Sequence, residues 1–403
     1  MKDVLTMVLA GGQVDSMGVL TAHRSMAAVP VGGLFRVVDF LLTNLSESGA
    51  RRVGILSQYR PSSLMDHVGI GRPWDYNGRT RELAFLPPFQ GTGALDWYRG
   101  TADAVYQNLH YIERYAPSEV MVLSGDHVYR MDYGPIIEGH RRRNADLTMV
   151  FKRMDCGRPS RYGVGVLGDD NRVTDYQEKP DDPKSDLASL TIYVFRTGAL
   201  LARLAENAAT GRTFHLYDEV IPRMVAEDRV FGHVFEGGWE YVRPLAAWHD
   251  LHMRLLEPDG VSVPMDHVRT QLEEQGLGDA QAAFFAPSAD VKRSRIAPGC
   301  HVAGRVRSSV LFGRVTVEKG ARVEDSVLLN GTVVRKGARV SRAVVDKRGT
   351  IGEDARLEGG DELVSMGKFA RLGAGVRVNQ GAVVASRADV PDGTTIDRGG
   401  TSP

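Results

Sequence analysis

Two short clusters in the first half of the sequence combine glycine with groups that can bind a ligand. Gly11 and Gly12 follow an apolar run, and Asp126 follows Gly125 at the end of a second apolar run, 120–124. Glycine lets backbone amides come close to an anionic ligand such as a nucleotide, and a carboxylate can hold a metal ion. For the glycine pair the plainer alternative is a tight turn from a strand into a loop.

The elements that carry these clusters alternate between two periods. The stretch 102–115 has apolar residues at helical spacing, and runs rich in β-formers lie before and after it. Strands that alternate with helices predict an α/β fold, Rossmann-like, with a mostly parallel sheet covered on both faces. In such sheets ligands bind outside the carboxyl ends of the strands, where both glycine clusters lie. The predicted strands are 4–10, 52–57, 120–124, 146–153 and 189–195.

The second half of the sequence carries a repeat of 17 residues. The segment RVTVEKGARVED returns 17 positions later as GTVVRKGARVSR, and Val317, Val334 and Ile351 occupy one place in successive copies. Within a copy the apolar positions follow at steps of 6, 5 and 6. Three short strands per turn, each with one inward aliphatic residue, are typical of a hexapeptide-repeat β-helix. The repeat predicts a parallel β-helix over 288–385.

These two patterns set the expected domain boundaries. Residues 1–256 would form the α/β domain, and 257–287 a connector rich in proline, glycine and charge. One piece of this connector, 267–274, has helical spacing. After the β-helix, a polar tail is expected at 386–403.

The charge distribution limits the ligands of each part. The 50 basic and 50 acidic side chains cancel over the 403 residues. Residues 1–290, however, hold 30 basic and 38 acidic side chains, and the rest hold 20 and 12, so that a net charge of about −8 is joined to one of about +8. A generally basic nucleic-acid binder is excluded, and a phosphate ligand of the first domain must be held by a few local groups. Contacts between unlike domains of different subunits would be favoured, which predicts a salt-sensitive oligomer.

Cysteine content and hydropathy bear on the compartment. Two cysteines, Cys156 and Cys300, make no framework of disulfides or metal ligands, and each is expected to be a small buried residue. The sequence contains no run of 18 apolar residues and does not begin like a signal peptide. We therefore expect a cytoplasmic protein without a membrane partner.

Several stretches are long and specific enough to compare with known families. They are LAGG (9–12), AVPVGGLFRVVDFLLTN (28–44), SLMDHVGIGRPWD (63–75), WYRGTADAVYQN (97–108), LSGDHVYRMDY (123–133), YQEKP (176–180), LASLTIYVF (187–195) and SVLF (309–312). On these stretches the chain resembles bacterial ADP-glucose pyrophosphorylase, or glucose-1-phosphate adenylyltransferase, over nearly its whole length.

The resemblance implies a definite architecture and reaction. It implies an N-terminal nucleotidyltransferase domain, a C-terminal left-handed β-helix and a homo- or hetero-tetramer. The implied reaction joins ATP and glucose 1-phosphate into ADP-glucose and pyrophosphate in glycogen biosynthesis, with Mg²⁺ as the cofactor of an active enzyme. The family is also regulated allosterically by sugar phosphates.

The resemblance assigns five residues to a nucleotide site. They are Gly11 and Gly12 in the first loop and Gly100, Thr101 and Ala102 at the start of a helix, where the family contacts the base edge. The alternative role for Thr101 is to cap that helix.

A second group of residues matches the family's sugar-phosphate site. Tyr98, Glu178, Lys179 and Ser189 fall on its positions, and Asp126 matches a metal-binding carboxylate. Lys179 is one of only nine lysines, against 41 arginines, and its retention suggests a function. The alternatives are a surface salt bridge for the Glu178 and Lys179 pair, and ordinary packing for Tyr98 and Ser189.

The chain departs from the family where charge is expected. Ser16 stands in place of an arginine that grips the triphosphate, Met26 in place of a lysine that meets the phosphates, and Pro244 in place of the second metal carboxylate. Thr191 replaces a glycine of the sugar loop, and Asp15 adds negative charge. Because losing one charge-stabilising donor typically costs about 10²–10³ in rate, we expect a chain that binds ligand but turns over poorly.

An effector site is less clearly indicated. Arg36, Arg51 and Arg52 would join a pocket for an effector anion. The lysine usual in the family's Gly-Gly-Lys is Leu34 here.

Three functions fit these observations to different degrees. The first is a regulatory or structural subunit that pairs with a catalytic paralogue. The alternative is an active nucleotidyltransferase with a modified site, in which Arg24, Arg99 or Arg243 supplies the missing positive charge. A third is an acyltransferase, because hexapeptide β-helices also host acyl transfer. That chemistry needs a histidine base, and His301 is the histidine of the repeat region, without an obvious carboxylate to orient it.

Overall fold

The computed structural model of the chain describes residues 1, 3–12, 14–88, 97–158 and 160–400. It divides into two compact units that are interleaved in sequence. Gln13 and the last three positions of the expected tail lie outside the described residues. The first unit comprises Met1–Gly12, Leu41–Pro61 and Gly69–Gly238, and the second comprises Gln13–Phe40, Ser62–Val68 and Trp239–Pro403.

A nine-stranded sheet is the framework of the first unit. Seven of its strands run in one direction, and Leu187–Arg196 and Val173–Gln177 run against them. The predicted α/β fold with a mostly parallel sheet is confirmed. Along the sheet the strands are Val173–Gln177, Val164–Leu167, Leu187–Arg196, Glu119–Ser124, Val4–Leu9, Arg52–Leu56 and Glu82–Leu86, with Leu147–Arg153 paired to Leu187–Arg196 and Val230–Val234 paired to Leu147–Arg153.

The five strands predicted from sequence all form, with ends displaced by up to two residues. Their side chains are buried on both faces, as in Val4–Leu9 and Glu119–Ser124, because helices cover the sheet. The apolar runs were therefore sufficient to locate them. The other elements of this unit are the short strand His127–Tyr129 and the helices or helical turns Arg72–Trp74, Gly134–Arg142, Thr197–Thr210, Leu216–Val220 and Ile221–Glu227.

The stretch 102–115 was predicted as one helix and forms two. Thr101–Gln107 and Leu109–Tyr115 are separated at Asn108. The Asn108 side-chain amide donates to the Ala104 carbonyl at 2.8 Å, so that a side chain competes with the helical backbone at this point.

The second unit contains a parallel β-helix. Val317 pairs with Val334, and Val334 pairs with Ile351, so the 17-residue return of the sequence is the register of the sheets. The buried aliphatic residues of successive coils form one continuous core. One sheet consists of Phe284–Phe285, His301–Val302, Thr316–Val317, Val333–Val334, Thr350–Ile351, Arg371–Leu372 and Asp389–Val390; the second of Asp290–Lys292, Arg305–Arg307, Arg322–Glu324, Arg339–Ser341, Arg356–Glu358, Arg377–Asn379 and Thr395–Ile396; the third of Arg295–Ile296, Val310–Leu311, Val327–Leu328, Ala343–Val345, Val364–Met366 and Val383–Val384.

Two expectations around the β-helix differ from the structure. Strands continue into the stretch expected to be a polar tail, at Asp389–Val390 and Thr395–Ile396. The helical piece predicted at 267–274 is wrong, because this part of the connector forms turns. A single helical turn fixes several residues for one hydrogen bond and does not persist without packing.

The second unit also contains short elements from earlier in the sequence. In the helix Leu245–Arg254, Trp248 Nε1 donates to the carbonyl of Pro30 at 2.8 Å, and His249 Nε2 donates to the carbonyl of Asp325 in the β-helix at 2.7 Å. Within the described residues, no helix is long and apolar enough to span a membrane. The other elements are Asp15–Leu20, Met26–Ala28, the hairpin Pro30–Val31 and Phe35–Arg36, Ser62–Val68, Trp239–Tyr241, and Val37–Glu47, which continues into the first unit.

Candidate functional site

The two predicted glycine clusters lie at one edge of the sheet in the first unit. Leu9 pairs with Ser124 at the carboxyl ends of adjacent parallel strands. The amide of Gly125 donates to the carbonyl of Leu9 at 2.9 Å, and a Cβ at Gly125 would lie 3.2 Å from that oxygen. Gly11 and Asp126, which follow these strand ends, therefore share the edge where ligands bind in such sheets.

Asp126 is held by its own neighbours at this edge. Its carboxylate accepts a hydrogen bond from the Ser124 hydroxyl, and His127 Nε2 lies 3.3 Å from Asp126 Oδ1. Among the described residues, no group of three or more His, Cys, Asp or Glu side chains could hold a metal ion. Mg²⁺ needs fewer protein ligands, but the second carboxylate that the resemblance expects is Pro244, which has no donor side chain. The residues present do not fit a magnesium site with two carboxylates.

Gly100 is required by close packing at the start of the helix Thr101–Gln107. A Cβ at Gly100 would lie 2.3 Å from the carbonyl oxygen of Phe214. That same oxygen accepts hydrogen bonds from the amides of Ala102 at 2.9 Å and Asp103 at 3.2 Å. The segment at Phe214 thus occupies amides that would otherwise be open to an anionic ligand.

Thr101 is committed to the same segment. Its hydroxyl accepts from the Leu216 amide at 2.9 Å, and its own amide donates to His215 Nδ1 at 3.4 Å. Thr101 therefore joins two elements rather than capping its own helix by side chain. Sequence reasoning did not include His215 in the site, because its role depends on a contact 114 residues away.

Tyr98 belongs to a packing network in this structure. Its hydroxyl donates to the carbonyl of Leu86 at 2.9 Å and accepts from the Asn108 amide at 2.8 Å. Burial raises the pKa of this phenol. In the structure the Tyr98 hydroxyl has a packing role, because it already donates one hydrogen bond and accepts another.

Glu178 and Lys179 form the polar centre of the predicted sugar-phosphate site. Lys179 Nζ lies 3.2 Å from Glu178 Oε1, and Glu178 Oε2 accepts from the Tyr176 hydroxyl at 2.7 Å. Lys179 Nζ also lies 5.5 Å from the centre of the Tyr217 ring, which stacks on His215 at 4.8 Å. The lysine side chain is 57% exposed, so that its ammonium group is held on one side and open to ligand on the other.

Ser189 and Thr191 lie on an irregular part of the strand Leu187–Arg196. Its register with Leu147–Arg153 shifts between Ser189 and Tyr193, and Thr191 has a left-handed backbone with φ of 53°. Ser189 is buried, and its hydroxyl lies 3.5 Å from that of Tyr193. Burial raises the pKa of Tyr193, which is also influenced by Tyr176 and Glu178. Ser189 therefore lies near the group of tyrosines that holds Glu178.

In the second unit, Arg36 belongs to a buried cluster of charged groups. Its side chain is 1% exposed and donates to Glu274 Oε2 at 2.6 Å and to the carbonyl of Ser63 at 2.7 Å. His67 lies between two carboxylates, with Nε2 2.6 Å from Asp39 Oδ1 and Nδ1 3.3 Å from Glu274 Oε2. Glu274 comes from the connector, a contact that the sequence did not predict.

Four basic side chains define what we name the basic cluster: Arg24, Arg36, Lys347 and Lys368. Arg24 donates to both carboxylate oxygens of Asp346, at 2.7 and 3.0 Å. Burial, together with the charges of Arg36 and Arg24, lowers the pKa of Lys347 to about 7, and burial also lowers the pKa of Lys368. Within the described residues, Asp346 pairs with Arg24 and Glu274 with Arg36, whereas no carboxylate lies within 4 Å of either lysine ammonium group.

The other predicted effector residues have different surroundings. Arg52 begins the strand Arg52–Leu56 in the first unit, with its guanidinium 4.3 Å from the centre of the Tyr115 ring. It and Arg51 lie at the amino ends of the parallel strands, opposite the edge that carries Gly11. Arg36 belongs to the second unit.

Comparisons with known proteins decide the family. A family model described as nucleotidyl transferase matches residues 5–257, and one described as GlmU-like, C-terminal hexapeptide, matches residues 286–379. A glucose-1-phosphate adenylyltransferase of Acetivibrio thermocellus is 33% identical over 98% of this chain and 92% of its own length. The chain belongs to the glucose-1-phosphate adenylyltransferase family.

Other relatives of the same name match most of the chain. The glucose-1-phosphate adenylyltransferase of Clostridium acetobutylicum is 37% identical over 78% of this chain and 83% of its own length. That of Thermomicrobium roseum is 40% identical over 75% of this chain and 71% of its own length. The resemblance recognised from short motifs is thus confirmed over most of both domains.

Three positions that depart from the resemblance to glucose-1-phosphate adenylyltransferases lie in the second unit. Met26 is buried, with 4% of its surface exposed, in a short helical turn with Ala27 and Ala28. Ser16 is exposed, and Pro244 directly precedes the helix Leu245–Arg254. A buried thioether, a hydroxyl and a proline ring cannot supply the charge that each position is expected to carry.

All three arginines considered as substitutes already contact other groups. Arg24 is 1% exposed and bound to Asp346. Arg99 donates to Asp103 Oδ1 at 3.1 Å, and its guanidinium lies 3.8 Å from the centre of the Phe214 ring. The third, Arg243, lies 5.0 Å from the centre of the Tyr241 ring.

His301, considered for acyl transfer, is exposed on the β-helix. Its ring stacks on Phe284 at 4.9 Å.

Proposed function

We propose that this chain is a regulatory, non-catalytic subunit of glycogen biosynthesis. It would bind sugar phosphate or nucleotide and pair with a catalytic paralogue in a tetramer. The observation that carries the proposal is Met26, a buried methionine where the resemblance expects a phosphate-binding lysine. The buried pairing of Arg24 with Asp346 supports it, since this arginine is not free to replace that lysine.

Sugar-phosphate binding in the first unit rests on Lys179. A phosphate oxygen is strongly attracted to an ammonium group that keeps an open side. Glu178 accepts from Tyr176 and is fixed in position, which leaves one carboxylate oxygen for a sugar hydroxyl or for Lys179. Such binding does not need the arginine and the carboxylate that the resemblance expects at positions 16 and 244.

Effector binding in the second unit rests on the basic cluster. Its two lysines have no carboxylate partner among the described residues, and a multiply charged anion such as a sugar phosphate would compensate them. Of Arg36, Arg51 and Arg52, which the sequence assigned to this role, Arg36 belongs to the basic cluster. Lys347 and Lys368 extend the proposed site, while Arg24 stays paired with Asp346 beside them.

The catalytic part of the proposal is tested by turnover. The purified chain, incubated with ATP, glucose 1-phosphate and Mg²⁺, should release negligible pyrophosphate. Co-expression with the organism's active paralogue should give a mixed oligomer whose response to sugar phosphates differs from that of the paralogue alone. Robust pyrophosphate release by the lone chain would overturn the proposal and favour an active enzyme with a modified site.

A further inference from the structure

The connector inserts a carboxylate of the chain itself into the basic cluster. Glu274 is exposed as a residue, but its side chain is only 22% exposed, because the carboxylate turns inward to Arg36 and His67. Burial alone would raise its pKa, yet the His67 hydrogen bond and the charges of Arg36 and Lys347 together lower it to about 2. Glu274 is therefore held as a carboxylate anion against Arg36 and His67.

We propose that Glu274 is an internal competitor, which an effector anion must displace from the basic cluster. The inference rests on the proposed effector site and specifies its regulation. Arg36 gives one guanidinium nitrogen to Glu274 and another to Ser63. A phosphate ion that took the place of the Glu274 carboxylate would keep the Arg36 hydrogen bond and the attraction of Lys347, and its second negative charge would strengthen both.

The segment that carries Glu274 has neither helical nor strand structure. Residues 272–277 form turns rather than a helix, with the amide of Leu277 donating to the carbonyl of Leu272 at 2.8 Å. The segment is anchored by Gln275, which donates to the carbonyl of Leu34 at 2.9 Å. Because Leu34 lies in the loop before Arg36, displacement of Glu274 would disturb the loop that positions this arginine.

The first test measures the affinity of the full chain for inorganic phosphate by calorimetry. Glu274→Gln keeps the shape of the side chain and removes its charge, so phosphate should bind about tenfold more tightly. Glu273→Gln is the matched control, because its side chain is exposed and adjacent in sequence. Lys347→Gln should weaken phosphate binding about tenfold, both alone and combined with Glu274→Gln.

A second measurement does not depend on how well the variants fold. Amide hydrogen exchange in the unmodified chain should become faster at residues 272–277 when phosphate is added, because the displaced carboxylate releases the turn. Phosphate that slowed exchange there, with Glu274→Gln binding no better than the unmodified chain, would overturn the inference and leave the effector site standing. Phosphate binding that was undetectable, or insensitive to Lys347→Gln, would overturn the effector site and the inference together.

Discussion

Arg24 and Asp346, 322 residues apart in sequence, form an ion pair in which Arg24 Nη2 contacts both carboxylate oxygens and the two side chains are 1% and 2% exposed. Removing one member of a buried pair leaves the other charge without compensation, which typically costs about 3–5 kcal/mol. We expect Asp346→Asn to lower the free energy of unfolding by this amount. Chemical denaturation measures the loss.

A matched control exists on the surface of the same unit. Arg335 and Glu318 form a pair at 2.7 Å whose side chains are 49% and 29% exposed. Arg335→Gln should cost less than about 1 kcal/mol. If Asp346→Asn and Arg335→Gln lowered the free energy of unfolding equally, the buried pair would not be more important for stability than the exposed one.

Lys179 should account for much of the affinity for glucose 1-phosphate. Replacing it with methionine removes a charge-assisted hydrogen bond, worth about 1.5–3 kcal/mol, so binding should weaken by about 10- to 100-fold. Calorimetry on the isolated chain gives the dissociation constants. Lys184→Met is the control, because Lys184 is similarly exposed but faces Asp175. A similar loss in both variants would mean that Lys179 acts only through the general charge of the surface.

Thr191 should be replaceable by glycine with a gain in stability. A β-branched residue in the left-handed region costs roughly 1–2 kcal/mol, more than the extra chain entropy of glycine, so Thr191→Gly should stabilise by up to about 1 kcal/mol. Thermal unfolding would report a higher midpoint. Thr174→Gly, in the strand Val173–Gln177 and without a left-handed backbone, should instead destabilise, because glycine loses more chain entropy on folding. A midpoint lowered equally by both substitutions would contradict the assignment of strain to Thr191.

His140 should make the first unit sensitive to mild acid. Burial lowers its pKa from 6.5 to about 4, and Nδ1 lies 2.9 Å from the Thr148 hydroxyl. Since the unfolded chain takes up this proton first, stability is complete above pH 6.5 and falls as the pH drops from 6.5 to 4, by about 3 kcal/mol. Unfolding measured across this range should show a shallower dependence for His140→Gln. A pH dependence that stayed as steep in His140→Gln as in the unmodified chain would contradict this assignment.

The regular elements could be predicted from sequence because their signals are local. Apolar runs such as 4–10 mark strands buried on both faces, and the 17-residue return marks the coils of the β-helix. The break at Asn108 could not be predicted, because this residue type is tolerated in helices and its effect depends on where its amide finds a partner. The turns at 267–274 likewise depend on packing that helical spacing alone does not report.

The candidate site was predictable only in part, for a related reason. Motif resemblance located Lys179 and Arg36, since each lies in a recognisable stretch. Glu274 and His215 were missed because their roles arise from contacts with distant residues, and neither lies in a stretch used for the resemblance. The partners of Arg24 were equally hidden, so its availability as a substitute cation could be judged only from the structure.

The repeated core of the β-helix has a consequence for how its coils are told apart. Every coil has aliphatic residues at the same positions. If the segments packed against the β-helix moved along it by one coil, they would therefore meet almost the same apolar surface. The polar partners are not repeated: Asp346 receives Arg24, and the carbonyl of Asp325 receives His249. These contacts are specific to single coils. In a shifted arrangement Arg24 would be buried without the Asp346 carboxylate that compensates its charge, which is unfavourable.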